Sequence, residues 1–247
     1  MESYREHIEM PSPKEIKYTT ARWGPLVLQT KIEDDFIDEL LEKGLKSRHS
    51  GRAQLDARKY LAGHIEGEYL YENLDDWFVP RMKPYIEVYT HLVDQWTGNN
   101  SFKHLIRDNS IENIVKEGLD LKIKTDICWS MEMAWINFQQ KNEYNPPHNH
   151  PCDLSFVAFL QVPKEIGEEY KAIPEIEHGK GPGLLYFNYG EQLPFSVKSF
   201  GKYPEKGDLF IFPGWLMHHV HDFKSDVERI SVSGNVNFEV VTKTEDI

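Results

Sequence analysis

The spacing of apolar residues along the chain changes period near residue 126. Before that point, Phe36, Ile37, Leu40, Leu41 and Leu45 recur at helical intervals behind Glu33, Asp34 and Asp35, acids that favour a helix N-terminus. Trp77, Phe78, Met82, Ile86, Val88, Leu92 and Val93 predict a second helix over residues 74–96, with Pro80 and Pro84 expected to kink or restart it. Residues 111–119 read as one more short helix, and residues 26–28, behind Gly24 and Pro25, as a short strand. Beyond residue 126, β-branched and aromatic residues dominate between Pro- and Gly-bearing turns. Strands are predicted over residues 127–138, 154–162, 184–188, 195–200, 208–212, 219–223 and 229–241. Short strands at such intervals suggest a barrel or a double-sheet jelly roll, with the preceding helices covering a sheet face and its edges. The expected fold class is α+β. One domain is expected over residues 1–247, with a helical buttress over 1–125 and a jelly-roll core over 126–241.

Composition narrows the function classes. Apolar residues make up 40% of the 247 positions and aromatics 13%, enough for a sizeable core. Forty acidic against 28 basic side chains give a net charge of −12. That field repels phosphate, so neither general nucleic-acid binding nor attachment to an anionic membrane is expected. No apolar run approaches the roughly 20 residues that span a bilayer, and the charged start lacks a signal-peptide stretch. Cys128 and Cys152 form no CxxC motif and read as two reduced thiols, which points to the cytoplasm.

Four of the eleven histidines stand out. His148 and His150 flank Asn149 where the turn-rich Tyr144-Asn145-Pro146-Pro147 hands over to a strand. On an extended backbone, residues two apart share a face, so both rings can reach one point while Asn149 points away. His218 and His219 close the later stretch Phe212-Pro213-Gly214-Trp215-Leu216-Met217. A strand ending in imidazole, opposite one beginning with two, can build a three-point metal site; the competing reading is a polar turn and a surface pair. The spacing alone is a weak signal.

Eleven residues past His218 comes Arg229, followed in alternation by Ser231 and Ser233, with Ile230 and Val232 on the other face. A guanidinium on the inward face of a barrel strand needs an acid or a bound anion. With a hydroxyl two residues on, it makes a carboxylate clamp. If the faces are reversed, Arg229 is instead a solvated residue paired with Glu228 or Asp226.

Together these residues resemble the 2-oxoglutarate- and iron(II)-dependent oxygenases, and within them a branch from bacteria and phages distantly similar to prolyl hydroxylases. The likeness runs from Trp135-Ile136-Asn137 through His148-Asn149-His150-Pro151, Leu154-Ser155, Gly207-Asp208-Leu209, Phe212-Pro213 and His218 to Arg229-Ile230-Ser231 and Asn235. It implies a double-stranded β-helix holding Fe(II), with 2-oxoglutarate and O2 as cosubstrates and hydroxylation of an unactivated C–H with release of succinate and CO2. By resemblance, His148 and His218 are metal ligands, His219 faces away, Arg229 with Ser231 holds the far carboxylate of 2-oxoglutarate, and Asn137 contacts the cosubstrate. The usual first motif is His-x-Asp/Glu. Here that third position is His150, the preferred ligand; Asp153 is the rival if the chain turns back at Pro151 and Cys152.

The substrate implied is a peptide or protein side chain or a small molecule. Segments 140–147 and 163–182 are candidate lids, and Trp135, Phe156, Phe159 and Trp215 candidate walls of a dry pocket. Two other functions stay open: a cupin-like three-histidine metalloenzyme that does not use 2-oxoglutarate, and a non-catalytic jelly-roll binding module.

Overall fold

The computed structural model describes residues 24–98, 122–173, 181–191, 193–194 and 196–245. The helix expected over 111–119 lies outside these residues, as do residue 195 of one expected strand and residues 174–180 of one expected lid. In chain order the elements are β1 (Leu28–Lys31), α1 (Asp34–His49), β2 (Gly67–Leu70), α2 (Leu74–Thr97), β3 (Lys122–Gln139), β4 (Asn145–His148), β5 (Leu154–Gln161), α3 (Lys164–Lys171), β6 (Leu185–Asn188), β7 (Ser199–Lys202), β8 (Asp208–Pro213), β9 (Met217–Val220) and β10 (Arg229–Glu245).

The strands form two antiparallel sheets. The larger runs β1-β8-β5-β10-β3-β2 and the smaller β4-β9-β6-β7. Successive strands from β3 onward alternate between the sheets in a jelly-roll path: β3 large, β4 small, β5 large, β6 and β7 small, β8 large, β9 small, β10 large. The mixed architecture is the one the sequence predicts. The N-terminal region is not purely a helical buttress, however, because it lends β1 and β2 to the two edges of the larger sheet. β2 was missed: four residues reading Gly-Glu-Tyr-Leu carry too little pattern to announce a strand.

Two apolar clusters follow from the alternation. Ile230 and Val232 of β10 join Phe156, Ala158 and Leu160 of β5 beneath the helices, against Phe36, Ile37 and Leu40 of α1 and Phe78, Met82 and Ile86 of α2. Between the sheets lie Val157, Phe159, Leu185, Phe187, Phe210, Phe212 and Leu216. The α2 helix neither breaks nor restarts at its prolines. Pro80 and Pro84 are four apart on the exposed face, where the carbonyls that lose an N–H donor can turn to water.

Candidate metal centre

β4 was also missed, because Pro146 and Pro147 read as a turn. It is the edge of the smaller sheet, where a strand can lack N–H donors on its open side. Among the described strands its neighbour is β9, and the register sets His148 directly opposite His218. β9 begins two residues earlier than expected, so His218 lies within the strand rather than before it.

His148, His150 and His218 converge. One ring nitrogen from each lies within 4.8 Å of the others. Ring centroids are 4.2 Å apart for His148 and His218, 5.0 Å for His148 and His150, and 5.2 Å for His150 and His218. Nδ1 of His148 lies 2.8 Å from the carbonyl of Pro146, and Nδ1 of His218 2.8 Å from that of Leu216. A carbonyl only accepts, so each Nδ1 carries the proton and each Nε2 keeps its lone pair for a cation. His150 is set by its backbone N–H, which donates to the carbonyl of Gly214 at 2.8 Å. Burial lowers the pKa of all three, to about 4 for His150 and about 3 for His218. The rings are therefore neutral at pH 7, the form that binds metal. Three imidazole donors on one side of an ion, with no carboxylate, leave the site one unit more positive than a two-histidine, one-carboxylate centre.

Asp153 is not in this cluster. Its carboxylate accepts the N–H of Phe238 at 2.7 Å, and its carbonyl accepts that of Gly214 at 3.0 Å. His219 turns away, stacked on Tyr186 at 5.2 Å and hydrogen-bonded to Asn188.

Beside the triad is a small chamber of about 40 Å³. Strand alternation brings Asn137 and Gln139 of β3, Ser155 of β5, and Arg229, Ser231 and Ser233 of β10 to its wall. Arg229 is 2% exposed. It donates Nη1 to the carbonyl of Gly183 at 2.5 Å and Nη2 to Oε1 of Gln139, while its Nε has no partner among the described residues. Glu228 is bound to Arg48 and Gln140, and Asp226 to Lys141, so the reversed-face alternative is excluded. Among the described residues, no carboxylate pairs with Arg229. Burial brings its pKa down to about 10, so it stays a cation. Asn137 donates to Ser231 at 3.4 Å, and its own carbonyl oxygen is buried without a donor.

Gln139, the immediate neighbour of the guanidinium, was not singled out from sequence. Its position two residues beyond Asn137 on one strand face was the available signal. Of the expected aromatic walls, Trp135 and Phe159 are buried at the chamber, and the Phe159 ring centroid lies 5.4 Å from the guanidinium. Phe156 also borders the chamber, with its ring packed on Phe78 beneath the helices, whereas Trp215 is half exposed against Tyr189. Of the expected lids, 140–147 ends as strand β4, and 163–182 opens with α3.

A wider cleft of about 590 Å³ lies on the other side of the histidines, lined by Tyr60, Glu68, Trp135, Asn145, Asn235 and others. His148, His150, Trp135 and Asn145 border both spaces.

Residues 133–235 match the family described as "Putative 2OG-Fe(II) oxygenase". The match falls on the β-core, from within β3 to within β10. The matched span runs from Met133, two residues before Trp135-Ile136-Asn137, to Asn235 and contains His148, His150, His218 and Arg229. No curated protein matches the chain. Among solved structures, an oxidoreductase of the 2OG-Fe(II) oxygenase family from Burkholderia pseudomallei is 14% identical, with 49% of this chain and 47% of that chain covered and a TM-score of 0.32. This chain therefore spans about half the length of that protein. A viral collagen prolyl hydroxylase from Paramecium Bursaria Chlorella virus-1 is 12% identical over 85% of this chain and 94% of its own, TM-score 0.41. A Pseudomonas putida prolyl-4-hydroxylase is 13% identical over 85% and 92%, TM-score 0.41. The matched family is named for Fe(II) and 2-oxoglutarate, and the neutral triad is a donor set that fits iron.

Proposed function

We propose that the protein is an Fe(II)- and 2-oxoglutarate-dependent hydroxylase in which His148, His150 and His218 hold the metal. In this reading Arg229, with Ser231 and Asn137, holds the cosubstrate. The observation that carries it is Arg229: a buried, charged guanidinium with no acid partner among the described residues, facing the same chamber as three neutral imidazoles. An uncompensated buried cation is costly and favours an anionic ligand. A dicarboxylate supplies one charge for Arg229 and leaves the opposite end for the metal.

When bound, the iron supplies the oxidative chemistry. The chain's residues supply position. Gln139 and the carbonyl of Gly183 fix the guanidinium fork, Ser231 adds a hydroxyl donor, and Trp135, Phe159 and Phe212 keep the chamber dry. The substrate, a peptide side chain or a small molecule, enters from the cleft that shares His148 and His150 with the chamber. Among the described residues no helix is long and apolar enough to cross a membrane. Cys128 and Cys152 are free, which fits residence in the reducing cytoplasm.

Anaerobic addition of Fe(II) and 2-oxoglutarate should give the weak visible charge-transfer band of a chelated keto acid, lost in Arg229→Ala. Absence of the band in wild type, or its persistence at undiminished affinity in the variant, overturns the assignment. In the second case the site is better described as a three-histidine cupin-like centre.

A further inference from the structure

β2 places Glu68 at the wall of the outer cleft, and its chemistry is unusual for a structural residue. The residue is 1% exposed, and among the described residues neither carboxylate oxygen has a hydrogen-bond partner. Buried carboxylates are ordinarily satisfied by N–H or O–H donors or by a cation. Here the backbone gives way to the side chain: a Cβ on Gly63 would lie 2.8 Å from Oε1, so the carboxylate tucks under a residue that has none.

The surrounding charges do not neutralise it. Arg58 is the nearby cation, but it is bound by both Nε and Nη2 to the carboxylate of Asp56. Glu143, a further negative charge facing Glu68, is engaged with the backbone N–H groups of Glu66 and Gln140. Among the described residues, the cleft lining contains a second acid, Glu132, and neither lysine nor arginine. Two more buried acceptors there, Oδ1 of Asn145 and Oδ1 of Asn235, also lack donors. The wall offers acceptors in excess, and it offers Trp135, an aromatic face to which cations are attracted.

Resting on the oxygenase reading of the site, we infer that Glu68 selects a substrate carrying a cationic nitrogen, an ammonium or guanidinium group, in the outer cleft beside His148 and His150. A multi-donor cation satisfies what the cleft leaves open: both oxygens of Glu68 and the amide oxygens of Asn145 and Asn235. The segment that covers Glu68, from Leu61 to Gly63, is the part of the wall the ligand has to meet. Bound there, the cationic end sets which carbon of the substrate stands at the metal side.

The test uses pairs of probes that differ only in charge: L-arginine against L-citrulline and L-lysine against L-norleucine, as free amino acids and as the central residue of glycine-flanked tripeptides. Binding is measured by calorimetry on the full chain, both with Mn(II) plus 2-oxoglutarate and without them. At least one cationic member should bind about tenfold or more tightly than its neutral partner, in line with a charge-assisted contact, and the preference should vanish in Glu68→Gln. Equal binding within every pair, no binding of any cationic probe, or a preference untouched in Glu68→Gln overturns the inference. The wild-type comparison stands even if the variant does not fold. Loss of the Fe(II)/2-oxoglutarate band would sink the oxygenase reading separately, since charge selectivity in the metal-free protein does not depend on it.

Discussion

Glu68 and Asn137 are register partners across the β2–β3 ladder, and each ends in buried oxygen that no donor among the described residues reaches. Glu68 lines the outer cleft and Asn137 the inner chamber, so this pair of ladder neighbours serves the two spaces separated by the histidines. Each unsatisfied oxygen costs folding free energy in the ligand-free protein. The cost is concentrated where ligands are expected to bind.

The pH dependence of stability follows from Glu68. Burial, reinforced by the charge of Glu143, pushes its carboxyl up to about 7 from an ordinary 4.5. The folded protein therefore keeps this proton at pH values where the unfolded chain has lost it. The contribution is fully present below about pH 4.5, declines as pH rises to about 7, and is constant above. Glu68→Gln should remove that slope, so its melting temperature should gain on wild type between about pH 5 and pH 8 in ligand-free protein. A difference that does not change with pH would mean the carboxyl titrates normally.

The third ligand is decided by two substitutions. His150→Ala should weaken Fe(II) or Mn(II) binding by at least about 100-fold, because it removes one of three donors. Asp153→Asn should keep metal affinity within about threefold and instead lower stability by roughly 1 kcal/mol, through its weakened bond to the Phe238 N–H. Metal titration with thermal melts reads both, and the reverse pattern would hand the site to Asp153.

Arg229 acts as a fork held by Gln139. Arg229→Lys keeps the charge but loses the planar geometry, and should raise the dissociation constant for 2-oxoglutarate by about tenfold or more. Gln139→Leu should do the same to a smaller degree while leaving metal affinity unchanged, since its Oε1 accepts from the guanidinium and its Nε2 donates to the carbonyls of Glu143 and His221, away from His148, His150 and His218. Titrating the charge-transfer band measures the first effect, and Mn(II) binding without cosubstrate the second. A Gln139→Leu protein that binds 2-oxoglutarate normally would show that Arg229 needs no help in orientation.

Gly214 holds the turn that carries His150. A Cβ there would come within 2.2 Å of the Cys152 carbonyl oxygen, a backbone atom with little room to move. Gly214→Ala should destabilise the protein by about 1–3 kcal/mol and weaken metal binding with it, because the Gly214 carbonyl receives the His150 N–H. Metal affinity unchanged in a destabilised variant would separate the turn from the site.

Much of the core was legible from alternation alone. Arg229, Ser231 and Ser233 share a chamber wall while Ile230 and Val232 face the helices, as a period of two requires. What escaped were short or proline-bearing pieces. β2 spans four residues, and β4 carries two prolines that only an edge position tolerates. Glu68 and Gln139 escaped with them: a single Glu or Gln in a strand has no pattern to mark it, and its meaning comes from what lies opposite.

The sequence by itself determined the change of period near residue 126, the faces of the long strands and the set of imidazoles with an arginine that resembles an oxygenase, since these depend on side-chain type and local spacing. The tertiary structure alone decided that His148 meets His218, that Asp153 turns to Phe238, that no acid among the described residues reaches Arg229, and that Glu68 is buried without a donor. Those outcomes depend on register and burial between segments about 70 to 90 residues apart. Local preferences do not encode such distant pairings; the packing of two sheets does.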